Sequence, residues 1–117
     1  MKITVYGIPN CDTVKRARSW LQEQGLAFEF HDFKKAGVPA DQLPLWMAAL
    51  GWDKVLNRSG TTWRKLDEAS KAAVVDAESA AALAQVQPSV IKRPLVQWPD
   101  GSFSVGFSVE AFEARRP

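Results

Sequence analysis

The start of the chain switches between the two hydrophobic spacings that distinguish strands from helices. The apolar run at residues 3–6 predicts a short buried strand. Apolar residues then recur at helical spacing over residues 12–24, and Gly25 is placed to end this helix as a C′ residue. Residues 27–31 alternate apolar and polar side chains, which predicts a second strand. A strand, a helix and a strand in this order form parallel strands joined by a right-handed crossover.

The middle of the chain carries helical spacing and turn residues. Its first helical pattern has its apolar residues on one side and stops at Gly51. Thr61 or Thr62 and then Asp76 are residue types that cap the starts of shorter helices. The predicted segments are a loop at 32–39, helices at 41–50, 61–66, 70–75 and 78–85, and an irregular stretch at 52–60.

The end of the chain predicts a hairpin and a closing helix. Two short apolar runs, at 95–98 and 103–107, are separated by Pro99-Asp100-Gly101-Ser102. That composition is typical of a tight turn between two antiparallel strands. The helix that follows, at 108–115, is predicted to turn Val109 and Phe112 inward.

The complete order of elements is β-α-β, a helical insertion at about 40–87, and β-β-α. A parallel unit joined to a terminal hairpin gives a mixed sheet with helices against it. The order therefore predicts an α/β fold of thioredoxin-like architecture with a mixed four-stranded sheet. Since 117 residues suit one domain, residues 1–117 are expected to form a single domain.

Composition narrows the compartment and the class of partner. The hydrophobic fraction of 46% is ordinary for a soluble globular protein, and a net charge of +2 is too small to argue for nucleic acid. The apolar runs fall far short of the roughly 18 residues that span a membrane. One cysteine allows no internal disulfide, which fits a reducing compartment. Because the chain enters a strand at once, no signal peptide is expected, and the predicted location is the cytoplasm.

Cys11 is the main candidate for chemistry, because it lies at the turn between the first strand and the first helix. A thiol at a helix N-terminus meets unpaired backbone N–H groups and the positive end of the helix dipole. Both favour the thiolate, which is the reactive form of the side chain. Lys15 and Arg16 add positive charge one turn further on. A buried structural cysteine is the alternative interpretation.

Three arginines are candidates for binding an anion near that thiol. Arg58 lies in a polar loop, and Arg93 lies just before a predicted strand. The planar guanidinium suits oxyanions and carboxylates, and Arg64 is a further helper of the same kind. Surface arginines in loops are the simpler alternative. Pro94 is compatible either with a strand start or with a cis peptide bond beside a site.

Other residue types give weaker signals. One histidine, His31, and one cysteine make a poor metal site, so no metal is expected. A catalytic Cys–His pair is open, although a structural or exposed histidine is the more common case. The five tryptophans suggest stacking on nucleic acid, but their spacing favours core packing, and no direct nucleic-acid binding is expected.

Three separated motifs, in order along nearly the whole chain, resemble the arsenate reductase (ArsC) family of the glutaredoxin-linked type. The resemblance is nearest to its YffB branch, whose members are small bacterial proteins related to the regulator Spx. The motifs are VYGIPNCDT at residues 5–13, NRSGTTWRKL at residues 57–66 and IKRPL at residues 91–95.

The resemblance implies a thioredoxin-like domain with a helical insertion and assigns roles to several residues. Cys11 matches the catalytic cysteine, while Arg58 and Arg93 match anion-binding arginines. Pro94 matches the cis proline that lies beside the catalytic thiol, which would bring Arg93 close to Cys11. Asn10 and Thr13, which flank the motif cysteine, are expected to shape the site together with Pro94.

Three departures from the family pattern bear on function. Residues 104–108 carry no arginine where arsenate reductases of this type have a third one, and no histidine stands shortly before Cys11. Val14 stands where Spx has its second cysteine, so no internal redox disulfide can form.

The function predicted from these residues is thiol oxidoreduction through a mixed disulfide on Cys11, with no bound cofactor. An outside thiol must then resolve the mixed disulfide, and glutathione is the expected co-substrate beside a small anionic substrate. Two alternatives are a Spx-like regulator that binds the RNA polymerase α subunit and a true arsenate reductase.

Overall fold

The computed structural model describes residues 2–117, and these form two compact units. The sheet unit comprises the chain up to Ala36 together with Arg93–Pro117, and the helical unit is Gly37–Lys92. The helical unit covers the stretch predicted as an insertion, while a single domain over the whole chain stays a prediction. The elements of the sheet unit are β1 Ile3–Gly7, α1 Asp12–Glu23, β2 Phe28–Asp32, α2 Phe33–Ala36, β3 Leu95–Gln97, β4 Phe103–Val105 and α8 Val109–Arg115.

The sheet has four strands in the order β2-β1-β3-β4. Strand β1 pairs in parallel with β2, with Val5 opposite Phe30, and antiparallel with β3, with Val5 opposite Val96. Strands β3 and β4 form the antiparallel hairpin, with Leu95 opposite Val105. The predicted mixed α/β fold with a four-stranded sheet is therefore confirmed.

Helix α1 packs on the sheet through one apolar side and ends at a glycine. Gly25 has φ +69°, which only glycine adopts without strain. Its N–H donates to the carbonyl of Gln22, and the N–H of Leu26 donates to the carbonyl of Leu21, both at 3.0 Å. These two bonds form the Schellman arrangement, so the predicted C′ glycine is confirmed.

The core of the sheet unit is rich in aromatic side chains. Phe112 of α8 is only 1% exposed and meets the edges of three other rings. The ring centroids lie 4.7 Å from Phe107, 5.0 Å from Trp98 and 5.7 Å from Trp20. The indole N–H of Trp98 donates to Ser104 Oγ at 2.9 Å, so its polar atom is satisfied at the sheet. The residues of this core cluster are Ile3, Val5, Ala17, Trp20, Leu21, Val96, Trp98 and Phe112.

The helical unit buries apolar residues of its two longest helices. Its elements are α3 Leu43–Leu50, α4 Trp52–Val55, α5 Thr61–Arg64, α6 Glu68–Ala72, α7 Ala77–Val86 and a 3₁₀ turn at Pro88–Val90. Asp76 caps α7, and its side chain and Ser79 bond each other's backbone N–H groups in a capping box, as predicted for the cap. Leu56 bridges to Ile91. Among residues 2–117, no helix is long and apolar enough to cross a membrane.

Two predicted irregular stretches contain single-turn helices. The predicted loop at 32–39 includes α2, where the side chain of Asp32 accepts a hydrogen bond from the N–H of Lys34 at 2.8 Å. The predicted irregular stretch at 52–60 includes α4, which begins directly after Gly51. One turn is too short to show a hydrophobic period, which explains both errors.

Several predicted ends and one predicted contact are wrong. Helix α5 has Gly60 as its N-cap rather than Thr61 or Thr62. Val109 is 51% exposed instead of inward, although helical spacing places it on the same face as the buried Phe112. Its exposure depends on how the first turn of α8 meets the rest of the unit, which spacing does not contain. Other predicted ends differ from the observed ones by a few residues. Helix α3 starts at residue 43 rather than 41, and the helix predicted at 70–75 is α6 at residues 68–72. The hairpin strands end at residues 97 and 105 rather than 98 and 107.

Gly7 leaves no room for a side chain where β1 approaches α1. An added Cβ would lie 2.9 Å from Cγ2 of Val14, whose branched side chain is fully buried. We expect Gly7→Ala to lower the free energy of unfolding by about 1–3 kcal/mol, as overpacking does in other cores. Urea unfolding followed by circular dichroism measures this loss.

The double variant Gly7→Ala/Val14→Ala tests the cause of that loss. Removing the Val14 methyl groups makes room for the new Cβ, so the double variant should be more stable than the sum of the two single changes predicts. Additive losses would show that the strain at Gly7 arises elsewhere.

Candidate active site around Cys11

Cys11 is the N-cap residue of α1. Its backbone is extended, with φ −105° and ψ 124°. Its carbonyl accepts a hydrogen bond from the N–H of Lys15 at 2.9 Å, which is the first hydrogen bond of the helix. The thiol is partly exposed, and Cys11 is the single cysteine of the sequence. The predicted position at a strand-to-helix turn is confirmed. The thiol therefore faces the N–H groups that the first turn of a helix leaves unpaired.

The surroundings of Cys11 favour the ionised form of its sulfur. Partial burial raises the pKa of the thiol, but the backbone N–H of Val14, a hydrogen bond from the Arg93 side chain, the Arg93 charge and the N–H of Thr13 all lower it. The lowering effects win, so the pKa of Cys11 lies below its ordinary value. The N–H groups lower the pKa of the sulfur although none of them makes a cap hydrogen bond of standard geometry to the Cys11 side chain.

Strand pairing explains why Arg93 lies beside Cys11. Strands β1 and β3 run antiparallel with Tyr6 opposite Leu95, so the residues just before β3 lie next to those just after β1. The chain after β1 leads directly to Cys11. The proximity of Arg93 and Cys11 that the resemblance implies is thus confirmed, whereas their roles in binding and catalysis stay predictions.

The peptide bond between Arg93 and Pro94 is cis, which confirms that prediction. Pro94 is buried, and its carbonyl accepts the N–H of Gly106 at 2.9 Å. Gly106, at φ +82°, directly follows strand β4, and Pro94 directly precedes strand β3. The hydrogen bond between them therefore joins the end of β4 to the start of β3.

Arg58 and Arg64, the other predicted anion-binding residues, belong to the helical unit. Arg58 is exposed in the loop after Leu56, and its guanidinium carbon lies 5.7 Å from the centre of the Trp52 ring. Arg64 is exposed in the last turn of α5. Both side chains are open to solvent within their own unit, and their roles stay predictions.

The remaining candidate residues are a histidine packed among aromatic rings and two residues close to Cys11 in the sequence. His31 lies against aromatic rings, with centroids 5.2 Å from Tyr6 and 5.9 Å from Phe33. Asn10 is exposed in the turn before Cys11, and Thr13 acts on the sulfur through its backbone N–H. Within residues 2–117 no group of three or more potential metal ligands occurs. Three tryptophans are buried, as core packing requires: Trp20, Trp46 and Trp98.

Sequence reasoning expected first-turn N–H groups at the thiol but did not single out the backbone N–H of Val14. Its effect on Cys11 is the first of those that lower the pKa. The signal was present, since the third helical residue is the usual donor to an N-cap side chain. The residue type at that position is irrelevant to a backbone donor, so a search for reactive side chains passes over it.

Solved structures and curated proteins show what the chain is similar to. The YffB protein is 46% identical, with a TM-score of 0.92 over 99% of this chain and all of that one. An arsenate reductase (ArsC) related protein from Brucella melitensis is also 46% identical, with a TM-score of 0.76 over 97% of this chain and 93% of that one. The global transcriptional regulator Spx of Listeria innocua is 25% identical over 80% of this chain and 72% of its own length.

The mixed four-stranded sheet described above is that of a thioredoxin-like fold, which these similar structures share. The family model described as "ArsC family" matches residues 6–115, which include the last two residues of β1 and every later element. With so much of the sequence matched, the chain belongs to the ArsC family.

Proposed function

We propose that this protein is a single-thiol oxidoreductase that reduces mixed disulfides of glutathione. The observation that carries the proposal is the hydrogen bond from Arg93 to a partly exposed sulfur whose pKa is lowered at the N-terminus of α1. A lowered pKa increases the thiolate fraction near neutral pH, and the thiolate is the attacking species in disulfide exchange. Partial exposure lets a substrate reach it.

Two exchange steps complete the reaction. The Cys11 thiolate attacks the glutathione sulfur of a mixed disulfide RS–SG, forms a Cys11–glutathione disulfide and releases RS⁻, which takes a proton from water. The thiolate of a second glutathione then attacks the glutathione sulfur of that adduct. This step releases glutathione disulfide and restores the Cys11 thiolate. The substrate is reduced, and two glutathione units leave as one disulfide, so the electrons balance.

An external thiol has to take the second step because the sequence has no other cysteine. Val14 is the residue three positions after Cys11, and it is fully buried. Glutathione is the abundant thiol of a reducing compartment such as the cytoplasm, where we place the protein.

The predicted anion-binding residues have a defined task in this proposal. Glutathione carries two carboxylates, which suit the planar fork of a guanidinium. We assign Arg93 to the thiolate and to a bound carboxylate, with Arg58 and Arg64 as further anion-binding groups. Asn10, Thr13 and Pro94 shape the backbone around the sulfur.

Treatment with glutathione disulfide tests the proposal directly. We expect a 1:1 glutathione adduct on Cys11, measured by mass spectrometry of the intact chain and its peptides. In Arg93→Ala the adduct should form about tenfold more slowly at neutral pH, because a hydrogen bond to a charged group contributes about 1.5–3 kcal/mol. The loss should shrink at high pH, where the thiol ionises without help.

Lys92→Ala is the matched control, since Lys92 is the exposed cation next to Arg93 in the sequence. It should react at the wild-type rate. Arg58→Ala and Arg64→Ala test the two arginines of the helical unit in the same assay. An unmodified Cys11, or equal rates for Arg93→Ala and the wild type across the pH range, contradicts the proposal.

The similarity to Spx supports a second candidate, a regulator that binds the RNA polymerase α subunit. A pull-down with that subunit distinguishes the two functions. Binding that survives Cys11→Ser, together with no thiol transfer, favours the regulator. True arsenate reduction is the third candidate, supported by the family membership, and it requires turnover of arsenate with glutathione and glutaredoxin.

A further inference from the structure

A groove of about 320 Å³ runs along helix α1 in the sheet unit, and we call it the α1 groove. Its apolar part is formed by Trp20, Phe107 and Val109. Its polar rim carries Lys15 and Arg16 near the start of the helix, Ser19 further along and Glu23 at the far end. The part of the groove nearest Cys11 is therefore an apolar surface bordered by two cations, which is complementary to a ligand that combines apolar side chains with negative charge.

Two of the three cations of α1, Arg16 and Arg18, lie against aromatic rings. The guanidinium carbon of Arg16 lies 6.0 Å from the centre of the Phe107 ring, and that of Arg18 lies 4.1 Å from the Phe30 ring. Arg18 Nε is buried and makes no hydrogen bond within residues 2–117. Contact with an aromatic face leaves the positive charge available to an incoming anion.

A second depression extends the positive surface across α1. It measures about 300 Å³ and is lined by Lys15, Arg18, Ser19 and Gln22, so Lys15 and Ser19 border both depressions. The acids of α1 are Asp12 in its first turn and Glu23 in its last residue. The stretch between these two acids carries three positive charges and no negative one, which gives this part of the helix a net attraction for anions.

The α1 groove begins one helical turn from the reactive sulfur. Lys15 follows Cys11 by one turn, and Glu23 marks the far end of the helix. At 1.5 Å per residue, the helix covers about 6 Å to the first of these positions and about 18 Å to the second. An extended peptide advances about 3.3 Å per residue, so residues roughly two to five positions from a substrate cysteine reach the groove.

From this geometry we infer that the α1 groove binds the polypeptide part of a glutathionylated protein substrate, and that the bound segment is acidic with an apolar residue beside its charges. The inference rests on the proposed function and assigns its substrate class. In the first exchange step the polypeptide is the leaving thiolate RS⁻, and the groove holds it while glutathione is transferred to Cys11.

Two nine-residue peptides test the groove. Each has a central cysteine, and on each side a glycine followed by a phenylalanine and two charged residues, acidic in one peptide and lysine in the other. Used as glutathione mixed disulfides at low salt, the acidic peptide should show about tenfold higher kcat/KM. The preference should fade as salt is raised. Fluorescence anisotropy with labelled serine analogues measures binding without any reaction.

Arg16→Glu is the diagnostic variant, and Lys35→Glu makes the same charge change on α2, outside the groove. We expect Arg16→Glu to abolish the preference for the acidic peptide in both assays and Lys35→Glu to retain it. Equal affinity of the wild type for the two peptides, or equal effects of both variants, overturns the inference.

The two assays separate this inference from the proposed function. If glutathionylated cysteine alone is reduced but the peptides bind equally, the oxidoreductase function stands and the groove assignment is wrong. If the acidic serine peptide binds selectively and no mixed disulfide turns over, the groove assignment stands as a binding surface and the oxidoreductase function is wrong.

Discussion

Replacing Cys11 by serine is expected to abolish the reduction of glutathione mixed disulfides, with a loss of at least about a thousandfold. A serine hydroxyl remains protonated under conditions that ionise the thiol, so the N–H groups and Arg93 have no anion to stabilise. Turnover with glutathionylated cysteine as substrate measures this loss. Residual activity within tenfold of the wild type would place the nucleophile elsewhere.

The same change is expected to preserve or raise stability, which separates the chemistry from the fold. Cys11 occupies the N-cap of α1 with extended backbone geometry and no standard cap hydrogen bond. Serine is among the preferred N-cap residues, because its oxygen accepts a backbone N–H of the first turn. We expect Cys11→Ser to be as stable as the wild type near neutral pH or more stable by up to about 1 kcal/mol. A large loss would mean that the sulfur itself supports the fold.

This stability comparison depends on pH in a defined direction. Since the pKa of Cys11 is lowered by folding, the ionised sulfur adds stability above the unfolded pKa of about 8.5. That contribution is lost as the pH falls through the lower, folded value. In urea unfolding, the free energy of unfolding of the wild type should therefore rise relative to that of Cys11→Ser between about pH 5 and about pH 9.5.

Phe112→Ala is expected to destabilise the sheet unit by about 3–5 kcal/mol, the usual range for removing a buried phenylalanine. The ring is 1% exposed and meets Trp20, Trp98 and Phe107 edge to face. The substitution removes these contacts and leaves a cavity between α8 and the sheet. Urea unfolding at neutral pH, followed by circular dichroism, gives the difference in free energy.

Val109→Ala is the matched control in the same helix. Val109 is 51% exposed, so its loss should change stability by no more than about 0.5 kcal/mol. A loss below about 1 kcal/mol for Phe112→Ala would show that the aromatic cluster relaxes to fill the cavity. A comparable loss for Val109→Ala would mean that the first turn of α8 is more tightly packed than its exposure indicates.

Hydrophobic spacing predicted the elements that have enough residues to show a period. Strand β2 follows from alternation, the other strands follow from short apolar runs beside turn residues, and helix α1 follows from a helical apolar stripe. Gly25 marks the end of α1 by its conformational freedom. Helices α2 and α4 have one turn each, so their sequences carry no period to read. The exposure of Val109 depends on how α8 meets the sheet, which sequence spacing does not contain.

The site was predictable in its parts but not in its contacts. The position of Cys11 before an amphipathic helix indicated an activated thiol from local chemistry alone. Its contact with Arg93 arises from antiparallel pairing of β1 with β3, a tertiary feature that only the family resemblance supplied. The start of the helix indicated first-turn N–H donors, but residue type does not show that the Val14 N–H is the first of those that lower the pKa of Cys11.

The long separation of Cys11 and Arg93 along the chain has a consequence for biosynthesis. The cysteine leaves the ribosome well before the arginine has been added, so the nascent polypeptide lacks the guanidinium that favours ionisation. An incomplete copy therefore lacks part of what lowers the pKa of Cys11, and we expect its thiol to exchange more slowly with oxidants. Full reactivity is expected only on completion of the tertiary structure, which limits premature oxidation of the immature product.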